Sequence, residues 1–389
     1  MSPEGLMAAR TGRHCLAVPS NRLGLYLALR HWCLPGQRLL MSPISADEIL
    51  FLVLAAGLRP VIAPLSPEDG NIDVDAVDLG LVDAVLTTNL YGLPDRVAAF
   101  AGKTLIEDVA HAMETTVGGR PLGTFGVAGV FSLSKHAGAG SGGVVAVEDE
   151  ADLRALEAER DRLLRPRAPV AELRSVLTSA ARHTAVRLNL VRPALRAMRA
   201  LGMEEEREGH RIATRPDELA VAMKQVPELP PFDSWVQADL HDYRVRRGWI
   251  SRRYQSRRLG ALPGQRTRRV AGVRALAELP TVAGAVRGHL DQPLFRVPLL
   301  VADREAAIAA LERHGVATGY LYDPPYDDYL PGFVEPSAEP EVARWWGRHA
   351  LPVDPFYAHR AMPVIRDLPP APPPPRTGRS APRPPRPLA

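Results

Sequence analysis

The chain contains three lysines, Lys103, Lys135 and Lys224, and one of them stands in the run FSLSKHAGAGSGGVV over residues 131–145. Arginine supplies every other basic side chain, so a lysine kept in a glycine-rich loop is a candidate for chemistry that arginine cannot do. A guanidinium stays protonated, whereas an amine that loses its proton can attack a carbonyl and form a Schiff base. The alternative is a solvated loop lysine. Close upstream stand Glu107, Asp108 and His111, and within the run itself Ser132 and Ser134. Asp108 follows an apolar segment, the place where α/β sheets present ligand-binding groups. It could hold a pyridinium nitrogen protonated, or cap a helix. Ser132 and Ser134 could bind a phosphate or end a strand, and His111 could meet an aromatic ring or serve the core.

The elements that must position these residues alternate. Helical spacing runs from Ser20 to Trp32, followed by a Pro35-Gly36 turn and the apolar run Arg38 to Met41. A second helical segment spans Ala46 to Ala56 and stops at Gly57. Short apolar runs follow at 60–64, 84–88, 104–108, 129–133 and 143–147. Apolar runs alternating with helices predict an α/β domain with a mostly parallel sheet. Residues 150–201 read as long arginine-rich helix with one break at Pro193. From Phe232 a second unit is expected: a helix over 234–259, a strand over 294–301, a helix from Asp303 to His314 capped by Gly315, and a strand over 316–321. The expected organisation is therefore a large domain over 1–231, a smaller α/β domain over 232–367 and a disordered Pro/Arg-rich tail over 368–389.

Composition excludes several classes. The formal net charge of +4 is concentrated in the tail, where Arg376, Arg379, Arg383 and Arg386 meet no acid. The body is near neutral and lacks the basic face that nucleic acid requires. Cys15 and Cys33 provide neither a disulfide framework nor metal-ligand spacing. No apolar run approaches the length of a membrane span, and the expected location is the cytoplasm. Residues 138–143 match G-x-G-x-x-G, but that dinucleotide fingerprint needs a strand before and a helix after. Here the glycines lead into a strand. A Walker loop is excluded because Lys135 precedes the glycines.

The run LIEDVAHAMETTVGGRPLGTFGVAGVFSLSKHAGAGSGGVVAVED, residues 105–149, resembles the signature of the DegT/DnrJ/EryC1/StrS aminotransferases. The resemblance continues through PSNRLGLYLALRHWCLPGQ, LAAGLRPVIAPLSPEDGNIDVDAV and TTNLYGLPD upstream. Downstream it takes in residues 247–254, 296–329 and 348–357, covering roughly 14–367. It implies a fold-type-I α/β architecture, a pyridoxal 5′-phosphate (PLP) cofactor and a homodimer whose sites are completed across subunits. It implies transfer of an amino group from an amino-acid donor such as glutamate to a keto or aldehyde acceptor, with nucleotide-linked keto sugars the family's common substrates.

Carried over by position, Lys135 becomes the Schiff-base lysine and Asp108 the partner of the pyridine nitrogen. His111 takes the place beside the ring, and Ser132 or Ser134 contacts the phosphate. The helix start at Ser20 offers backbone N–H groups to the same phosphate. Four features depart from the family, the first being an interval from Ser132 to Lys135 shorter than usual. Ser20-Asn21-Arg22 replaces Ser-Gly-Thr, so the side chains of Asn21 and Arg22 are expected to add phosphate contacts. No aromatic residue is evident in 43–46 to stack on the ring. Residues 209–215 replace the segment that reaches across the dimer. Tyr320, Tyr322 and Tyr326 are candidates for the site or for a domain interface. Two rival functions follow: a PLP-dependent sugar dehydratase, in which histidine replaces the lysine and His136 would be the residue, and a catalytically silent binding or regulatory relative.

Overall fold

A computed structural model describes residues 1–166, 169–187, 216–224, 244–318 and 322–375. After helix α1 (Pro3–Thr11), strand β1 (His14–Val18) leads into α2 (Asn21–Trp32), capped by Ser20, whose hydroxyl accepts from the Leu23 N–H at 3.1 Å. Then come β2 (Arg38–Met41), α3 (Asp47–Ala55), β3 (Arg59–Ile62), β4 (Ala84–Thr87) and β5 (Thr104–Asp108). A small hairpin, β6 (Thr116–Val117) and β7 (Arg120–Pro121), precedes β8 (Ala128–Ser132) and β9 (Gly143–Val147).

Among the described residues seven strands form one sheet in the order β1-β9-β8-β5-β4-β2-β3, with β9 antiparallel to both neighbours and the other pairings parallel. The expected α/β architecture with a mostly parallel sheet is what forms. β8 and β9 are buried along their whole length, as strands covered on both faces must be. Gly24 lets α2 approach this sheet: a Cβ there would lie 2.8 Å from Val130 Cγ1 and 3.0 Å from Val145 Cγ2.

Helix α4 (Glu150–Leu163) ends ahead of α5 (Pro169–Arg187). The long helix expected here therefore breaks earlier than read, because Pro166 and Pro169 withhold the amides a continuous helix needs. Pro193, residues 209–215 and Tyr320 lie outside the described residues, as does the boundary placed between 231 and 232. After α6 (Pro216–Met223), the helix expected from 234 is described only as α7 (Trp249–Gly260), and Val245 ahead of it forms a bridge with Arg165.

Next come α8 (Leu262–Ala277), β10 (Val297–Leu300), α9 (Arg304–Arg313), the short α10 (Tyr326–Tyr329), α11 (Pro340–His349), β11 (Ala350–Val353) and α12 (Ala358–Ile365). Gly315 ends α9 at a positive φ of 74°. The strand expected from Val316 does not form at 316–318, and β10 instead pairs antiparallel with β11. The second core gathers on this pair, with Val297, Leu299, Leu351, Val353 and Trp346 buried among α8, α9 and α12.

The start of the proline-rich tail differs from expectation. Ala371 N–H donates to the Leu300 carbonyl at 2.9 Å and Ala302 N–H to the Pro369 carbonyl at 3.0 Å. The Trp345 indole N–H donates to the Pro372 carbonyl at 2.9 Å. Proline lacks a donor but keeps its acceptor, so an extended proline run can line a strand edge. Residues 376–389 lie outside the described residues. No helix among the described residues is long and apolar enough to cross a membrane.

Candidate active site

At the carboxyl ends of β4, β5 and β8 the structure encloses a cavity of about 240 Å³. Seven of the residues singled out from the sequence line it: Asn21, Arg22, Asp108, His111, Ser132, Ser134 and Lys135. Ser20, Ser45, Ala46, Ile49, Thr88 and Tyr322 also contribute to its wall. Thr88 and Ser45 carried no motif, and only their place just past a strand end would have marked them. Tyr326 is fully buried and donates through its hydroxyl to the Ala46 carbonyl, so it packs the wall from behind.

Asp108 is buried at the end of β5. Its Oδ1 accepts from the Ala110 N–H at 3.0 Å and from the Asn21 side-chain amide at 3.1 Å. Burial pushes its pKa up to about 6, against the opposing pull of these hydrogen bonds and of the Lys135 and Arg22 charges. The capping alternative fails, since no helix starts at 109. Asn21 and Arg22, which were expected to contact the phosphate, line the cavity and have protein partners. The Asn21 amide is committed to Asp108 and, at 3.3 Å, to the Val130 carbonyl. Arg22 pairs with buried Glu48 of α3 at 2.8 Å. Although its own burial opposes ionisation, Glu48 is held below the usual carboxylate range by the Arg22 charge and local hydrogen bonds.

His111 is a neutral imidazole of fixed orientation. Its Nδ1 accepts the Tyr91 N–H at 3.3 Å, which places the ring proton on Nε2. Burial, followed by the neighbouring Lys135 charge, holds its pKa well below the usual histidine value. One face rests on Phe295, with ring centroids 4.9 Å apart and 22° between planes. The Tyr91 amide that fixes it belongs to a strained turn, for Asn89 and Tyr91 have φ of 47° and 59°. Asp95 secures that turn by accepting from the N–H groups of Thr88 at 3.0 Å and Asn89 at 2.9 Å.

Lys135 and the serines sit where β8 ends. The Ser132 and Ser134 hydroxyls are 2.9 Å apart, the first buried and the second exposed. The loop returns to β9 through Gly138, Gly140 and Gly142, with φ of 58°, 80° and 118°, conformations that side chains resist. Helix α7 grips it from outside: Gln255 donates to the Ser141 carbonyl and Arg258 Nε to the Ala137 carbonyl, both at 2.8 Å.

His136, next in sequence, turns the other way. It is buried, its Nε2 lies 2.7 Å from the His111 carbonyl oxygen, and its Nδ1 lies 3.9 Å from Glu114. It takes no part in lining the cavity.

The chemistry of the wall is that of an amine, a buried carboxylate, paired hydroxyls and a helix N-terminus around one space. Residues 4–165 match the DegT/DnrJ/EryC1/StrS aminotransferase family, in agreement with the resemblance carried by residues 105–149. The spore coat polysaccharide biosynthesis protein SpsC of Bacillus subtilis (strain 168) is 31% identical over 150 residues, 36% of this chain and 39% of that protein. The L-glutamine:2-deoxy-scyllo-inosose aminotransferase of Streptomyces kanamyceticus is 29% identical over 156 residues, 37% of this chain and 36% of its own length. The chain thus spans well under half the length of these relatives. Across 93% of this chain, the fold is similar to E. coli GDP-4-keto-6-deoxy-D-mannose-3-dehydratase with bound hydrated PLP. That match has a TM-score of 0.64, 16% identity and 90% coverage of the other chain. The likeness establishes the fold as that of the fold-type-I PLP enzymes.

Proposed function

We propose that this chain, matched to the DegT/DnrJ/EryC1/StrS aminotransferases over residues 4–165, is a PLP-dependent aminotransferase. The proposed reaction moves the amino group of an amino-acid donor, glutamate in the first instance, to a keto or aldehyde acceptor. The relatives support a sugar-like acceptor, a keto sugar or nucleotide-linked keto sugar, in sugar or natural-product biosynthesis. A homodimer in the cytoplasm, with no nucleic-acid or membrane partner, completes the reading. The observation that carries it is the opposite facing of two neighbours: Lys135 lines the cavity while His136 is buried against the His111 carbonyl.

The residues present fit the cofactor. Buried Asp108 has both of its described hydrogen bonds on Oδ1, which leaves Oδ2 for a ring nitrogen. Ser132, Ser134 and the N-terminus of α2 would hold the phosphate, since helix N-termini favour anions. His111, which lines the cavity, would stand beside the cofactor ring. When bound, PLP supplies an aldehyde that amines can attach to and a protonated ring that takes up electrons released from the donor carbon.

The chain's own groups do the rest. Lys135 Nζ would be the amine that holds the aldehyde, and when free it would act as the base that moves the donor Cα proton, a general-base task worth ~10²–10⁴-fold. Asp108 would keep the ring nitrogen protonated. Overall, the donor's C–N carbon would take its keto oxygen from one water, and the acceptor would lose its carbonyl oxygen as one water on gaining the nitrogen.

The test is a spectrum of purified protein with PLP, followed by glutamate. Wild type is expected to develop the absorbance of lysine-bound cofactor and to bleach on adding glutamate with stoichiometric 2-oxoglutarate. Lys135→Ala is expected to lose that absorbance, and an unchanged spectrum removes Lys135 from the role. A colourless wild type identifies a silent binding relative. Loss of oxygen from a sugar without net transfer of nitrogen identifies a dehydratase.

A further inference from the structure

We propose that Asn21 is a positioning residue for Asp108, keeping that carboxylate ionised and aimed into the cavity; the inference rests on the PLP reading above. Asp108 carries a conflict, because the buried position that lets it meet a ring nitrogen also favours its neutral form. A neutral acid could not hold a pyridinium proton. Something must stabilise the charge without filling the face that meets the ligand.

The Asn21 amide meets that requirement. One N–H donates to Asp108 Oδ1 at 3.1 Å and the other to the Val130 carbonyl at 3.3 Å. The second bond fixes the amide plane, and Val130 is the β8 residue directly paired with Asp108 of β5. The Ala110 N–H joins on the same oxygen at 3.0 Å. Both donors thus converge on Oδ1 and pin the carboxylate's rotation.

Asn21 is held in turn by main chain. It is the first residue of α2, Ser20 bridges to Gly142, and its backbone N lies so near β9 that a Cβ on Gly143 would come within 2.7 Å. One side chain therefore ties the helix that would face the phosphate to the acid that would face the ring nitrogen. A hydrogen bond donated to a carboxylate favours its charged form over the neutral one, so this contact shifts the pH range over which the pair operates.

The test measures binding of PLP, and of its carbocyclic analogue lacking the ring nitrogen, to wild type and Asn21→Ala between pH 5 and 8. Wild-type affinity for PLP is expected to fall as pH drops below about 6. Losing one charge-assisted hydrogen bond is expected to move that fall up by about one pH unit and to weaken PLP binding about tenfold near its midpoint. Affinity for the analogue stays level in both proteins. Equal weakening of both ligands, or an unmoved pH profile, overturns the positioning role while leaving the PLP reading intact. A wild type that binds no PLP overturns both. Asn21→Ser provides the same comparison if the alanine variant does not fold.

Discussion

Replacing Asp108 by asparagine should make the cofactor-free protein more stable. Asparagine keeps an oxygen where Oδ1 stands, so the donors Asn21 and Ala110 retain their acceptor. What disappears is a charge buried at a cost. The pKa of Asp108 is about 6 in the fold against an ordinary value of 3.8, so the unfolded chain gives up this proton more readily than the native one. A carboxyl whose native pKa is raised imposes no penalty while both states are protonated, below pH 3.8. The penalty grows between there and pH 6 and is constant above. At about 1.4 kcal/mol per pKa unit it reaches about 3 kcal/mol at pH 8 and falls below about 1 kcal/mol near pH 4. Urea unfolding of cofactor-free wild type and Asp108→Asn at several pH values should show that difference opening as pH rises. Added PLP should then stabilise wild type more than the variant, which lacks the anion for the ring nitrogen. A variant no more stable than wild type at pH 8, or a gain that ignores pH, would refute the assignment of a strained, functional carboxylate.

Gly142→Ala should lower both stability and PLP affinity. Its φ of 118° costs a side chain about 1–3 kcal/mol, and a Cβ would sit 2.6 Å from Gln255 Nε2, which secures the Ser141 carbonyl. Thermal melts and cofactor titration read the two effects. His136→Leu should leave the spectrum of lysine-bound PLP in place while costing about 1–3 kcal/mol in urea unfolding, because the His111 carbonyl loses its buried donor. A spectrum abolished by His136→Leu in a folded protein would reverse the roles given to residues 135 and 136.

Much of the site was legible because its parts are local. Lys135, the two serines and the glycines lie within one strand-loop-strand unit; Asp108 ends the strand next to it and His111 follows. Period and punctuation suffice to place such residues at strand ends. Contacts between distant segments carried no comparable signal. The Asn21 amide reaches a carboxylate 87 residues away, and nothing in Ser20-Asn21-Arg22 distinguishes a phosphate donor from a carboxylate donor. The Arg22–Glu48 pair and the pairing of β10 with β11 escaped for the same reason. The break after α4 is a different failure, in which arginine-rich helical periodicity masked the two prolines at 166 and 169.

The hold of α7 on the lysine loop has a consequence for how the chain can be divided. The stretch matching the family ends at residue 165, yet Gln255 and Arg258, which anchor the Ser141 and Ala137 carbonyls of the glycine loop, come some 90 residues later and from outside it. A fragment cut at 165 would keep the amine, the acid and the hydroxyls but lose the external restraint on the turn between β8 and β9. Such a piece would carry the reactive groups without the means to present them. The residues that line the cavity and those that hold its loop thus come from different parts of one polypeptide.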